Sequence, residues 1–79
     1  MISGEIKDWC KHDGNTHILV KGDGVEKRDT VIVIIKESPK IKKNQKIWWQ
    51  ANICMIDGFK YTKVSASYGN EKSFNDRFR

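Results

Sequence analysis

Ile47-Trp48-Trp49-Gln50-Ala51-Asn52-Ile53-Cys54-Met55-Ile56, followed at once by Asp57-Gly58, constrains this chain more than any other segment. Its odd positions, Ile47, Trp49, Ala51, Ile53 and Met55, are all apolar, and its even positions are polar in the middle. Side chains of a strand point alternately to opposite faces, so the pattern predicts one half-buried strand over 47–56 with a core face and a wet face. Asp57-Gly58 then predicts a type I′ hairpin turn. The chain returns as a strand over 59–68. Its apolar set changes phase between Phe59/Tyr61 and Val64/Ala66/Tyr68, which predicts a bulge near Thr62-Lys63.

Upstream, Val31 to Ile35 is apolar without a break. A strand over 30–36 of that kind is buried on two sides, or on one side and at an interface. Arg28 and Asp29 before it, and Lys36 and Glu37 after it, are charged gatekeepers against aggregation. Two further strands precede it, over 2–10 and 16–21. They are divided by Lys11-His12-Asp13-Gly14-Asn15 and closed by Gly22-Asp23-Gly24, both rich in residues that favour turns. In the first strand Ile2, Ile6 and Cys10 share a face, and Trp9 lies opposite with Ser3, Glu5 and Lys7. Pro39 forbids a regular continuation of the third strand, so 37–45 is a lysine-rich loop. No helical periodicity is visible. Residues 69–79 read as a polar tail, frayed or docked, with Phe74 and Phe78 as isolated apolar points behind a single β domain over 1–68.

Turn signals every 8–12 residues or so place the chain in the all-β class, as a small five-stranded antiparallel barrel whose closure removes exposed sheet edges. The segment order over 2–68 and the stretch Ile41-Lys42-Lys43-Asn44-Gln45-Lys46-Ile47-Trp48 resemble the OB-fold, the oligonucleotide-binding barrel. An SH3-like barrel is the alternative with the same strand count. Asn44 stands where that family's pattern usually has glycine, and asparagine also reaches left-handed backbone conformations. The resemblance implies an oligonucleotide-binding module.

Composition narrows the class further. The 79 residues are 38% hydrophobic and 32% charged, too apolar for a disordered chain. No apolar run approaches the roughly 20 residues of a membrane-spanning helix, and no secretory signal opens the sequence. A cytoplasmic location is the expectation, with Cys10 and Cys54 as free thiols.

Charge is concentrated. Residues 36–63 carry seven lysines against Glu37 and Asp57, a net +5 equal to that of the whole chain, whereas 1–35 is −1 and 64–79 is +1. A localised basic stretch is the footprint of a polyanion binder, although lysines also solubilise loops. Trp49 belongs to the core face. Trp48 shares the wet face with Gln50 and Asn52, just after Lys42, Lys43 and Lys46. An exposed indole beside ammonium groups suits single-stranded nucleic acid, the ring stacking on a base while the lysines follow the phosphates. Gln50 and Asn52 are candidates for hydrogen bonds to base edges. Lys60, Tyr61 and Lys63 on the returning strand, and Trp9 on the first, complete the candidate site. The competing structural role for Trp48 is to cover a second apolar cluster with Phe74 or Phe78.

Other chemistry is poorly represented. Cys10, His12, His17 and Cys54 form a Cys₂His₂ set without the close pairs of a structural zinc site, and the two histidines read as solvent-facing. Asp8, Asp13 and Asp23 lack a framework that would hold a hard cation. No G-x-S-x-G, H-E-x-x-H, P-loop or G-x-G-x-x-G is present. The expectation is therefore a binding module without enzymatic activity, metal or cofactor. Its expected partner is single-stranded DNA or RNA. The alternative partner is a protein with an acidic or nucleic-acid-handling surface, as for a virus-type inhibitor, with a homodimer through the apolar third strand as a further expectation.

Overall fold

The computed structural model describes residues 2–22 and 30–78, except for the side chain of Tyr68. The sequence-predicted Gly22-Asp23-Gly24 turn, Asp23 itself, and the Arg28/Asp29 gatekeepers fall wholly or partly outside those residues. Six strands and one helix follow in order: β1 (Ile2–His12), β2 (Asn15–Gly22), β3 (Thr30–Ile35), β4 (Lys46–Gln50), β5 (Ile53–Ile56), β6 (Phe59–Tyr68) and α1 (Glu71–Phe78). The strands close into an antiparallel barrel in the order β1-β2-β3-β6-β5-β4.

The small all-β barrel is as expected, with six strands in place of five. The difference arises inside 47–56. Gln50 pairs with Ile53, so Ala51 and Asn52 form a two-residue turn and the predicted single strand is a hairpin. Ala51 takes a φ of 52°, the left-handed position that such turns normally give to glycine. The turn reverses the phase. Ile47 and Trp49 are buried before it and Cys54 and Ile56 after it, while Ala51 and Ile53 are exposed and Met55 is only half-buried. The predicted core face is thus correct for its first two members and wrong for the rest.

Asp57-Gly58 forms the expected hairpin, both residues at positive φ (53° and 82°) and Ile56 paired with Phe59. The expected bulge in β6 is also present. Ile34 pairs with Ser65 and Ile35 with Lys63, leaving Val64 as the extra residue.

β1 carries a bulge that its alternation pattern conceals. Ile6 pairs with Val20 and Asp8 with Leu19, so Lys7 is inserted and the faces exchange beyond it. Trp9 therefore turns inward against the main core and Cys10 outward, the reverse of the expected assignment. The Asp8 carboxylate accepts the Trp9 N–H at 2.8 Å at this irregularity. Gly4 makes the dual pairing of β1 possible: it faces Gly22 on β2 and Ile47 on β4, and a Cβ there would lie 2.5 Å from the Lys21 carbonyl oxygen.

The interior holds Ile6, Ile18, Val20, Val31, Val33, Ile35, Ile47, Trp49, Cys54 and Ile56, with Ile41 folded in from the lysine-rich loop. That loop is stitched to β1: Asn44, at φ 68°, donates its N–H to the Ile6 carbonyl, and the Ile6 N–H is donated to the Gln45 carbonyl. Asparagine thus occupies the left-handed position as anticipated.

β3 is buried on both sides, and the second cover is the chain's own C-terminus. The polar tail is a helix. Phe74 is fully buried against Leu19 and Ile32 on the outer face of β2 and β3, with Cys10, Ile34 and Phe78 around it. Asn70 caps the helix by accepting the Ser73 N–H at 2.7 Å, Glu71 lies in the first turn and Arg77 in the last, each at the favourable end of the dipole. Phe74 and Phe78 meet one turn apart, their ring centroids 5.1 Å from each other.

The same packing overturns the solvent-facing reading of His17, which is 8% exposed. Its ring lies 4.7 Å from Phe78 and 5.7 Å from His12, and its Nδ1 has no hydrogen-bond partner. Burial, then the charges of His12 and Arg77, hold its pKa below the ordinary 6.5, against the smaller opposing influences of a hydrogen bond to the His12 backbone and of Asp13. The unfolded chain consequently binds a proton that the folded chain resists, so stability falls as pH drops below about 6.5 toward the lowered folded value. The Glu37 carboxylate, which accepts the Thr62 N–H and is thereby lowered, acts only at more acid pH, below the ordinary 4.5. Urea melts at stepped pH should show the midpoint declining from about pH 6.5 downward, and His17→Gln should flatten that first decline. A midpoint constant between pH 7 and 5 would contradict this account of His17.

Candidate nucleic-acid interface

The register of β1, β4, β5 and β6 sorts the candidate residues without ambiguity. Trp48 stands between Ser3 and Met55, and Met55 in turn pairs with Lys60. Directly paired residues share a face, so Ser3, Trp48, Met55 and Lys60 form one outward row. The neighbouring row is Ile2, Trp49, Cys54 and Tyr61, on the barrel-interior side. Trp49 is 4% exposed and Trp48 39%, as the alternation predicts.

Two depressions adjoin the Trp48 indole. The first, of about 310 Å³, is lined by Trp48, Trp49, Gln50, Ala51, Ile53, Met55 and Lys60. The second, of about 410 Å³, is lined by Gln45, Lys46, Trp48, Asp57 and Gly58. One indole is the wall common to both. Lys46 reaches Glu5 at 3.8 Å, a long contact between exposed groups. Among the described residues, Lys42, Lys43, Lys60 and Lys63 make no ion pair.

Trp48, Gln50, Lys46 and Lys60 thus come together. Lys42 and Lys43 are exposed in the turn leading into β4, where the Lys42 N–H is held by the Gln45 side-chain oxygen at 3.0 Å. Asn52 is in the β4–β5 turn, its carbonyl accepting the Lys63 N–H, and does not line either depression. Tyr61 and Trp9 pack against the main core instead of joining the Trp48 face. A joint face of Trp48, Tyr61 and Lys63 is therefore excluded by register, since Tyr61 aligns with Cys54 and Trp49. Phe74 and Phe78 belong to the α1 cluster, and Trp48 is in neither hydrophobic cluster, so it is not a cover for the tail.

Sequence reasoning missed Met55, Ile53 and Asp57 as site residues. The signal for the first two was the phase reversal at Ala51-Asn52, which no glycine or proline announces.

The Cys₂His₂ set is divided between the two sides of the sheet. Cys54 is in the interior, where burial pushes its thiol up to about 12, whereas His17 and Cys10 are in the outer cluster under α1. No group of three or more metal-ligating side chains occurs among the described residues. No helix among them is long and apolar enough to cross a membrane.

No family model, curated protein or solved structure matches the chain. The site therefore rests on its own chemistry: an exposed indole, a floor of apolar side chains, and ammonium groups at its borders.

Proposed function

We propose that this barrel is a non-catalytic module that binds single-stranded nucleic acid on the outer face of β4 and β5. The observation that carries the reading is Trp48, an indole exposed on a sheet surface, with Lys46 on one side of it and Lys60 on the other. A base stacks on the ring whatever its identity, because every base has a π-face, and the lysines neutralise the adjoining phosphates. Gln50 lines the hollow beside the indole, which supports its role as a partner for a base edge. The outer face of β2 and β3, the strands by which an OB-fold barrel holds oligonucleotides, is covered here by α1 through Leu19, Ile32 and Phe74, whereas Trp48 on β4 and Ile53 on β5 are exposed.

Binding of this kind releases counterions, so log K falls with log salt at about 0.7 per phosphate for a single strand. About three phosphate contacts lower affinity roughly tenfold to twentyfold between about 50 and 200 mM salt. Anisotropy of a labelled oligonucleotide titrated with the full chain at the two salt concentrations measures this. Absence of binding at low salt contradicts the proposal.

Ile53, 45% exposed beside Trp48 and Met55, favours a second reading in which the same face meets a protein. That association would survive nuclease and high salt.

A further inference from the structure

The second depression, bounded by Asp57, Gln45 and Lys46, contains a group that phosphate binding does not explain. A carboxylate beside a polyanion repels the backbone and accepts hydrogen bonds only, so it fits the site only if it faces a donor. Asp57 is held there by its place in the β5–β6 turn: at φ 53°, followed by Gly58 at φ 82°, it cannot be carried away without losing the hairpin geometry. Gln45 lies beside it, its side-chain oxygen already committed to the Lys42 N–H. On the far side of the same indole, the first depression is apolar and bordered by Gln50 and Lys60. The two hollows share the indole and differ in their charged border, Lys60 at the first and Lys46 with the Asp57 carboxylate at the second.

Resting on the nucleic-acid reading above, we infer that the Asp57 side of Trp48 is a second base position that selects a base with an exposed amino group. Cytosine, adenine and guanine offer such donors. Thymine and uracil set carbonyl oxygens on either side of their one ring N–H, and these oppose a carboxylate. Lys46 is then the cation for the phosphate joining the two nucleotides, while Asp57 turns toward the base. Asp57 accordingly determines base preference in a module whose Trp48 stacking is tolerant.

The test compares the labelled octamers (dC)8 and (dT)8 with the full chain at about 50 mM salt. The intact protein is expected to bind (dC)8 roughly fivefold more tightly, the weaker end of direct discrimination between bases. Asp57→Asn preserves the turn, because Asn-Gly is equally suited to type I′, and should bring the two affinities together. Equal affinities in the intact protein, or an Asp57→Asn gain identical for both octamers, would overturn the inference and leave the Trp48 reading standing. If neither octamer binds, the nucleic-acid reading itself fails and this one with it.

Discussion

Phe74→Ala is expected to lower stability by about 3–5 kcal/mol, the usual cost of deleting a fully buried phenyl ring. Phe74 is 0% exposed and sits between Leu19 and Ile32. Helix α1 has eight residues, far below the length at which an isolated helix persists in water, so its order depends on this docking. Loss of the ring should therefore release the whole helix and expose Leu19, Ile32 and Ile34 on β2 and β3. In a domain of this size each kcal/mol corresponds to a melting shift of about 4–8 °C, so the variant is expected to be largely unfolded at the temperature where the parent half-melts. Urea melts followed by circular dichroism would show a lower midpoint and less helical signal. An unchanged midpoint with amide protection retained over 71–78 would mean that α1 is not held by Phe74.

The effect is large because β3 is apolar on both faces. Val31, Val33 and Ile35 face the interior while Ile32 and Ile34 face outward, and a helix must cover the second set. That demand was legible in the unbroken run Val31–Ile35. What satisfied it was not, because 71–78 shows only Phe74 and Phe78 at helical spacing among polar residues. Read with its cap, the segment does carry a helix signature: Asn70, Glu71, two rings four apart, and Arg77 in the last turn.

The barrel and its final hairpin were legible for a similar reason, since Asp57-Gly58 declares its backbone conformation in its chemistry. The turn at Ala51-Asn52 did not. Alanine at a left-handed φ is uncommon, and an alternating run reads straight through it. The bulge at Lys7 was hidden likewise, because pairing between strands, and not the local pattern, inserts the extra residue. These two irregularities account for Ala51, Ile53, Cys54 and Met55 at and after the turn and for Trp9 and Cys10 after the bulge, whereas His17 was misplaced because α1 covers it. Trp48 and Trp49 precede the turn, so their opposite faces were assigned correctly. Lysine clustering in sequence translated only partly into clustering in space, as Lys46 and Lys60 border the indole while Lys63 follows Tyr61 on the alternate side of β6.

Trp48→Ala is the second substitution with a large expected effect, on binding instead of stability. At 39% exposure and outside both hydrophobic clusters, the ring contributes little to folding, so the melting temperature should stay close to that of the parent. Its loss removes a stacking platform worth roughly 1–3 kcal/mol per base, a weakening of about fivefold to more than a hundredfold. Lys46 and Lys60 remain, so the salt dependence should persist while affinity drops. Anisotropy of a labelled single-stranded oligonucleotide at low salt, read for the parent and for Trp48→Ala with matched melting curves, measures the central claim directly. The account predicts weaker binding by a variant that folds normally, and equal affinity for the two proteins would contradict it.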